Sequence, residues 1–216
     1  MKRTFDLTIG LAGIVFVLPV MLAVAAAISV GTPGPVFYSQ ERVGRRRRPF
    51  RLFKFRTMRV GAEQATGPVW SWDGDPRVTA LGRFLRATHL DELPQLWNVL
   101  RGEMSLVGPR PERAHFVEQL ESAIPGYGER FDVLPGITGL SQLRSGYDST
   151  LRSVRRKTRY DRLYVRRGCL SLDTRILIET AWQATALSRL QRAPHSSTVA
   201  SHHRQSVVVQ DRILFE

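Results

Sequence analysis

From Leu7 to Val30 the chain reads LTIGLAGIVFVLPVMLAVAAAISV and contains no charged residue. A run of that length and uniform apolarity can cross a hydrocarbon core as a helix. Pro19 falls in its middle. Proline removes a backbone donor and crowds the preceding turn, which predicts a kink, although spanning helices tolerate one. The flanking charges add a second constraint. Lys2 and Arg3 precede the run, and Arg42, Arg45 to Arg48, Arg51, Lys54, Arg56 and Arg59 follow it. Short basic flanks prefer the cytoplasmic side of a membrane, and here both flanks are basic. Two courses fit: a re-entrant anchor that breaks near Pro19 and leaves on the face it entered, and a kinked single span. A signal peptide would have a shorter apolar core and a small-residue cleavage pattern; the Ala-rich end, AVAAAIS, keeps that reading open.

Beyond the anchor the pattern changes to short mixed elements. GTPGP at 31–35 signals a turn. VFYSQERVG (36–44) and PFRLFKFRTM (49–58) read as two strands joined at the RRRR corner, a β-hairpin. Residues 59–77, with Pro68, Trp70, Trp72 and a DGDP turn, read as loop. Helices are expected over 78–90, over 93–100 and over 112–124, the last stopping at Pro125-Gly126. Residues 101–111 read as turn and loop, and 133–144 as compact loop with a short extended piece. An arginine-crowded helix is expected over 148–167. A second helix, over 170–187, is suited either to a core or to a membrane interface. From about Arg189 the chain turns polar and reads as a disordered tail. The expected organisation is an anchor over 1–31, a small mixed α/β domain over 32–187 with a β-hairpin and amphipathic helices, and a tail over 188–216.

Composition narrows the partners. The 216 residues carry a formal net charge of +13. Such a chain seeks phosphate, anionic lipid or nucleic acid, and the apolar run makes an anionic lipid surface the natural partner of the basic helix. The single cysteine, Cys169, forms no internal disulfide or thiolate metal set and reads as a buried structural thiol. HExxH, CxxC, zinc-finger and RRM-like aromatic patterns are absent, as are GxxxxGK[ST] and GxGxxG.

Five local features can carry chemistry. In KFRTM, Lys54 and Arg56 alternate along a strand, which would place two cations on one face, suited to a diphosphate. Asp91-Glu92 is an adjacent acid pair in a basic chain. It can cap the following helix. Alternatively, one carboxylate can attack phosphorus while its neighbour helps hold Mg²⁺, a hard ion that takes oxygen ligands. His89 stands beside the pair as a relay or a rim residue. In VGPRP, Arg110 lies between prolines that would hold its planar fork of donors in place for a phosphate. PGITG at 135–139 is either an anion-binding turn or only a turn. Trp70-Ser71-Trp72 suits a membrane interface, a sugar or a base.

The motifs GTPGPVFYSQERVG, PFRLFKFRTM, DPRVTALGRFLRATHLDELPQLWNVLRGEMSLVGPRP and LPGITGL stand in one order along the chain. In this the sequence resembles the bacterial sugar transferases, the monotopic phosphoglycosyl transferases, from Lys2 to about Leu187. The resemblance implies transfer of a sugar 1-phosphate from a UDP-sugar to polyprenyl (undecaprenyl) phosphate with release of UMP, opening exopolysaccharide, O-antigen or other glycoconjugate assembly. It implies that Asp91 is the nucleophile, that Asp91 and Glu92 attend Mg²⁺, and that Lys54, Arg56, Arg86 and Arg110 bind diphosphate or lipid phosphate. Pro19 matches the family's helix-breaking proline and favours the re-entrant hairpin. The catalytic domain would lie on the cytoplasmic face of the bacterial inner membrane. The chain, starting at its anchor, resembles the minimal form, and an oligomer remains compatible. Cys169 stands where the family pattern often has a bulkier aromatic residue.

Three other classes compete. A polytopic transferase needs many spanning helices, and one apolar run is present. A glycosyltransferase that moves sugar without phosphate commonly uses a DxD motif; Asp73-Gly74-Asp75 has that spacing, and turn chemistry also explains it. A basic membrane-anchored adaptor would share the anchor and the charge without a need for Asp91. Nothing favours nucleic acid as partner.

Overall fold

The computed structural model describes residues 1–64, 67–72, 74–145 and 150–190, with side chains described as far as Gln183. The expected tail lies outside the described residues from 191 onward, as do Asp73 and Asp148.

The apolar run forms α1 (Lys2–Gly31), a single helical element that continues through Pro19 rather than two helices joined by a loop. It is long and apolar enough to cross a membrane, with a mean hydropathy of 2.7. Asp6, Gly10, Gly13, Ile14, Val17, Met21, Val24 and Ile28 are buried or half-buried. That spacing of three and four residues is one stripe of a helix. The opposite face is bare: Leu11, Val15, Leu22 and Phe16, the last 85% exposed.

Both ends of α1 are fastened to the same body. At the start, Lys2 Nζ donates to Asp173 (2.6 Å) and to the Val107 carbonyl (3.2 Å). Arg3 donates to the carbonyls of Val99 (2.6 Å) and Leu100 (2.9 Å). Asp6 Oδ1 accepts from the Ser105 hydroxyl and the Leu106 amide. At the far end, Val24 and Ile28 pack with Phe55 and Leu85 in one apolar cluster.

The expected hairpin is present: β1 (Phe37–Val43) pairs antiparallel with β2 (Pro49–Phe55), placing Tyr38 opposite Lys54 and Arg42 opposite Phe50. At its tip Arg46 and Arg47 take left-handed backbone angles (φ 54° and 60°). Arg47 is held there by both Glu121 oxygens (2.6 and 2.8 Å). Next come α2 (Ala80–Ala87), a 3₁₀ turn (Leu90–Glu92) and α3 (Gln95–Arg101). Helix α2 starts where the Thr79 hydroxyl accepts from the Gly82 amide (2.9 Å) and ends before His89 at φ 56°. It is therefore shorter than the expected 78–90. Asn98 docks α3 on the hairpin edge, accepting from the Phe53 amide (3.1 Å) and donating to the Arg51 carbonyl (2.7 Å).

Residues 101–111 contain a strand that the pattern did not reveal. β3 (Ser105–Val107) pairs in parallel with β4 (Gly136–Thr138), within the PGITG segment. The two chains approach so closely that a Cβ on Gly136 would lie 2.0 Å from the Gly108 amide nitrogen. Between them lie α4 (Ala114–Ala123) and the 3₁₀ turn Tyr127–Asp132. The chain closes with α5 (Leu140–Arg144), α6 (Leu151–Arg167) and α7 (Leu170–Leu190). Cys169, expected to be buried, is exposed in the α6–α7 turn, its Sγ 3.2 Å from the Ser171 hydroxyl. Helix α7 is core on one face, at Ile176, and exposed at Ile178 and Trp182.

Candidate active site

The acid pair lies in the 3₁₀ turn before α3, and no side-chain cap is made by either helix start nearby. The capping reading of Asp91-Glu92 is therefore not what holds the pair. Arg110 distinguishes the two carboxylates. Its guanidinium donates to both Glu92 oxygens, at 2.5 and 3.2 Å. Asp91 is 7% exposed, and its side chain makes no hydrogen bond or ion pair with any described residue.

The charges around Asp91 come from separate elements. Lys54 stands near the end of β2, Arg86 in the last turn of α2 and Arg110 in the loop after β3. Burial, then the neighbouring Glu92, pushes the Asp91 carboxyl up to about 6, and Lys54, Arg110 and Arg86 act against that rise. Burial also acts upward on Glu92, but the charge and hydrogen bonds of Arg110 hold it below the usual carboxylate range. Burial and the cations Arg42, Arg86 and Arg110 push the Lys54 ammonium down to about 8, against the pull of Asp91. The ammonium lies 5.1 Å from the Tyr38 ring centroid. Arg86 is steadied by the hydroxyls of Thr57 (2.9 Å) and Ser71 (2.6 Å). His89 is exposed at the rim.

Arg56 is not brought into this group. Its buried guanidinium donates to the carbonyls of Pro33 (2.5 Å) and Thr32 (2.9 Å) and to the Thr32 hydroxyl (2.8 Å). It closes the exit of the anchor. Strand β2 ends at Phe55, so the alternation that would have aligned Arg56 with Lys54 stops one residue short. The glycine-rich turn offers no free amide at Gly136, which donates to the Pro109 carbonyl (2.9 Å). Asp75 is engaged by Arg77 and Ser71. Trp70 packs on Phe116 (4.7 Å), and Trp72 lies under Arg77 (5.0 Å).

The geometry groups Lys54, Arg86, Asp91, Glu92 and Arg110, all within one matched region. The profile of the bacterial sugar transferases matches residues 1–186. The chain belongs to that family. It is 43% identical over 179 residues to the UDP-N-acetylgalactosamine-undecaprenyl-phosphate N-acetylgalactosaminephosphotransferase of Aeromonas hydrophila, covering 83% of this chain and 42% of the relative. It is 42% identical over 182 residues to the UDP-glucose:undecaprenyl-phosphate glucose-1-phosphate transferase of Xanthomonas campestris pv. campestris, covering 83% of this chain and 38% of the relative. It is 37% identical over 188 residues to the exopolysaccharide production protein PSS of Rhizobium leguminosarum bv. phaseoli, covering 83% of this chain and 92% of the relative. The chain thus spans about two fifths of the first two relatives and most of the third.

Two residues of this chain escaped the motif reading. Arg42 donates to the Pro111 carbonyl (3.2 Å), to Glu112 (3.1 Å) and to Gln40 (2.7 Å). Arg130 donates to the Arg110 carbonyl (2.7 Å) and pairs with Asp161 (3.1 Å). Between them they fix the backbone on which Arg110 sits. Arg42 left a signal, because Tyr38, Gln40 and Arg42 alternate along β1 on the Lys54 side. Arg130 left none; only the tertiary fold brings it to Arg110.

Proposed function

We propose that this chain transfers a sugar 1-phosphate from a UDP-sugar to polyprenyl phosphate, with Asp91 as the nucleophile. The observation that carries the reading is the split between the two acids. Glu92 is gripped at both oxygens by Arg110, whereas Asp91 stands unengaged among Lys54, Arg86 and Arg110. A carboxylate so placed meets an anionic phosphate where cations offset the repulsion.

In the first half-reaction an Asp91 oxygen bonds to the phosphorus next to the sugar. The bond from that phosphorus to the bridging oxygen breaks, and UMP leaves with the electron pair. In the second, a polyprenyl phosphate oxygen attacks the same phosphorus, the bond to Asp91 breaks, and polyprenyl-diphosphate sugar departs. Lys54, Arg86 and Arg110 hold phosphate oxygens through both steps.

The donor set suits Mg²⁺. Among the described residues no group of three or more His, Cys, Asp or Glu converges. Mg²⁺ commonly needs only one or two carboxylates, completed by substrate phosphate oxygens and water. Asp91 and Glu92 would hold it, and when bound it would neutralise charge developing on the leaving phosphate.

The re-entrant course of the anchor belongs to the same proposal. A straight helix of 30 residues is about 45 Å long. Lys2, Arg3 and Asp6 at one end, and Ile28 and Thr32 at the other, all fasten to the catalytic body. That body, on the cytoplasmic face of the inner membrane, supports entry and exit on one side.

The deciding experiment is the nucleotide released by purified protein with UDP-sugars, polyprenyl phosphate and Mg²⁺. UMP from wild type and none from Asp91→Asn, at an unchanged melting temperature, is expected. Release of UDP would make the chain a glycosyltransferase that moves sugar without phosphate. An Asp91→Asn protein that keeps full biological function would favour the adaptor reading.

A further inference from the structure

Helices α5, α6 and α7 enclose a groove of about 250 Å³ that the transfer chemistry does not use. Its floor is apolar, made by Leu140, Leu163, Leu172 and Ile176. Its rim carries Arg144, Arg167 and Arg175 against a single acid, Glu179. Glu179 is already bound by Arg144 (2.7 Å) and by Arg175 (2.9 Å), so the rim keeps a positive excess. Arg167 makes no ion pair with any described residue and is exposed at the end of α6. The largest charges acting on Asp91, Glu92 and Lys54 come from other residues, none of which lines the groove, so it stands apart from the reacting centre.

The neighbouring surface indicates what covers the groove. On α7, Ile178 and Trp182 follow Arg175 at helical spacing and are 65% and 74% exposed. An exposed Trp and Ile beside arginines is the composition of a membrane interface, where rings sit at headgroup level and guanidinium groups meet lipid phosphate. An apolar floor under a cationic rim fits a molecule with an acyl chain and an anionic head.

We propose that the α5–α6–α7 groove binds one anionic glycerophospholipid, its acyl chain on Leu140, Leu163, Leu172 and Ile176 and its phosphate on Arg167 and Arg175. This rests on the membrane association in the functional proposal and not on the transfer reaction. The lipid is a structural ligand that seats α7 on the membrane surface.

The test is native mass spectrometry of the full chain in detergent, titrated with dioleoyl phosphatidylglycerol or dioleoyl phosphatidylcholine. One retained phosphatidylglycerol, little phosphatidylcholine, and roughly ten- to thirtyfold weaker retention in Arg167→Gln/Arg175→Gln are expected. Equal retention of the two lipids, or phosphatidylglycerol retention unchanged in the double variant, would overturn the proposal. Displacement of phosphatidylglycerol one for one by undecaprenyl phosphate would also overturn it, because the groove would then belong to the acceptor. The double variant should still release UMP at the wild-type rate in detergent. Absence of UMP release from wild type would count against the transfer reaction and leave the lipid result standing.

Discussion

Arg110 donates to both oxygens of Glu92 and to neither of Asp91, so adjacent carboxylates acquire different chemistry. The split has a pH signature. On the proposed mechanism Asp91, at about 6, has to be ionised to attack, and Lys54, at about 8, has to be protonated to hold phosphate. The carboxyl loses its proton as pH rises through 6, and the ammonium loses its own through 8. We therefore expect kcat/KM for UMP release to be bell-shaped with limbs near those values. Lys54→Met should abolish the alkaline limb. It should also move the acid limb upward, because the Lys54 charge pulls the Asp91 carboxyl down. Arg110→Gln should shift the acid limb the same way and lower kcat/KM roughly ten- to a hundredfold, the worth of hydrogen bonds to a charged group. An acid limb that stays in place in both variants would show that another group than Asp91 titrates. At this scale the motif reading brought together Lys54, Arg86, Asp91, Glu92 and Arg110. It placed Arg56 by extending strand alternation beyond the strand's last residue, Phe55. Cys169 was read from its rarity, and rarity says nothing about burial.

Helices and the hairpin were legible because each has enough residues to show a period. The three-residue strand β3 does not, and β4 was legible only as a short extended piece. Their pairing is visible only in the fold, where Gly108 and Gly136 allow two backbones to touch. That contact has an energetic consequence. Gly136→Ala would drive a methyl group into the Gly108 amide, and we expect a loss of about 1–3 kcal/mol, read as a lower melting temperature. Because Gly136 also donates to the Pro109 carbonyl, the same variant should loosen Arg110 and reduce turnover in the surviving folded protein. Arg56 offers a contrasting case. Arg56→Met removes three hydrogen bonds from the anchor exit. A fall in melting temperature of about 5–10 °C is expected. The pH limbs should remain where they are, since Arg56 is not among the largest charges acting on Asp91 and its guanidinium is engaged by Pro33 and Thr32.

For the whole molecule, the apolar run foretold the long helix α1, and the structure supplies the partners that hold it to the body. Charge counting could not reveal that Lys2 reaches Asp173, a contact between the first and last described helices. A topology test follows from that arrangement. Cys169 is exposed and must first be replaced. In a Cys169→Ser background, Thr4→Cys and Val30→Cys, both at exposed positions, should react with an impermeant maleimide only after the inner membrane is opened. Labelling of one of them from the outer side of intact cells would establish a single span. The fastening of α1 at both ends has a consequence for how depth is chosen. A tethered enzyme with a slack linker samples many heights above a bilayer. Here Lys2, Arg3 and Asp6 at one stump, and Arg56 at the other, leave no slack. The altitude of Asp91 is thus a built-in constant of the protein. On the proposed reaction, selection of the lipid substrate would then become a matter of elevation: a phosphate floating at that level would be reached, and one buried deeper or standing higher would be passed over, whatever the length of its tail.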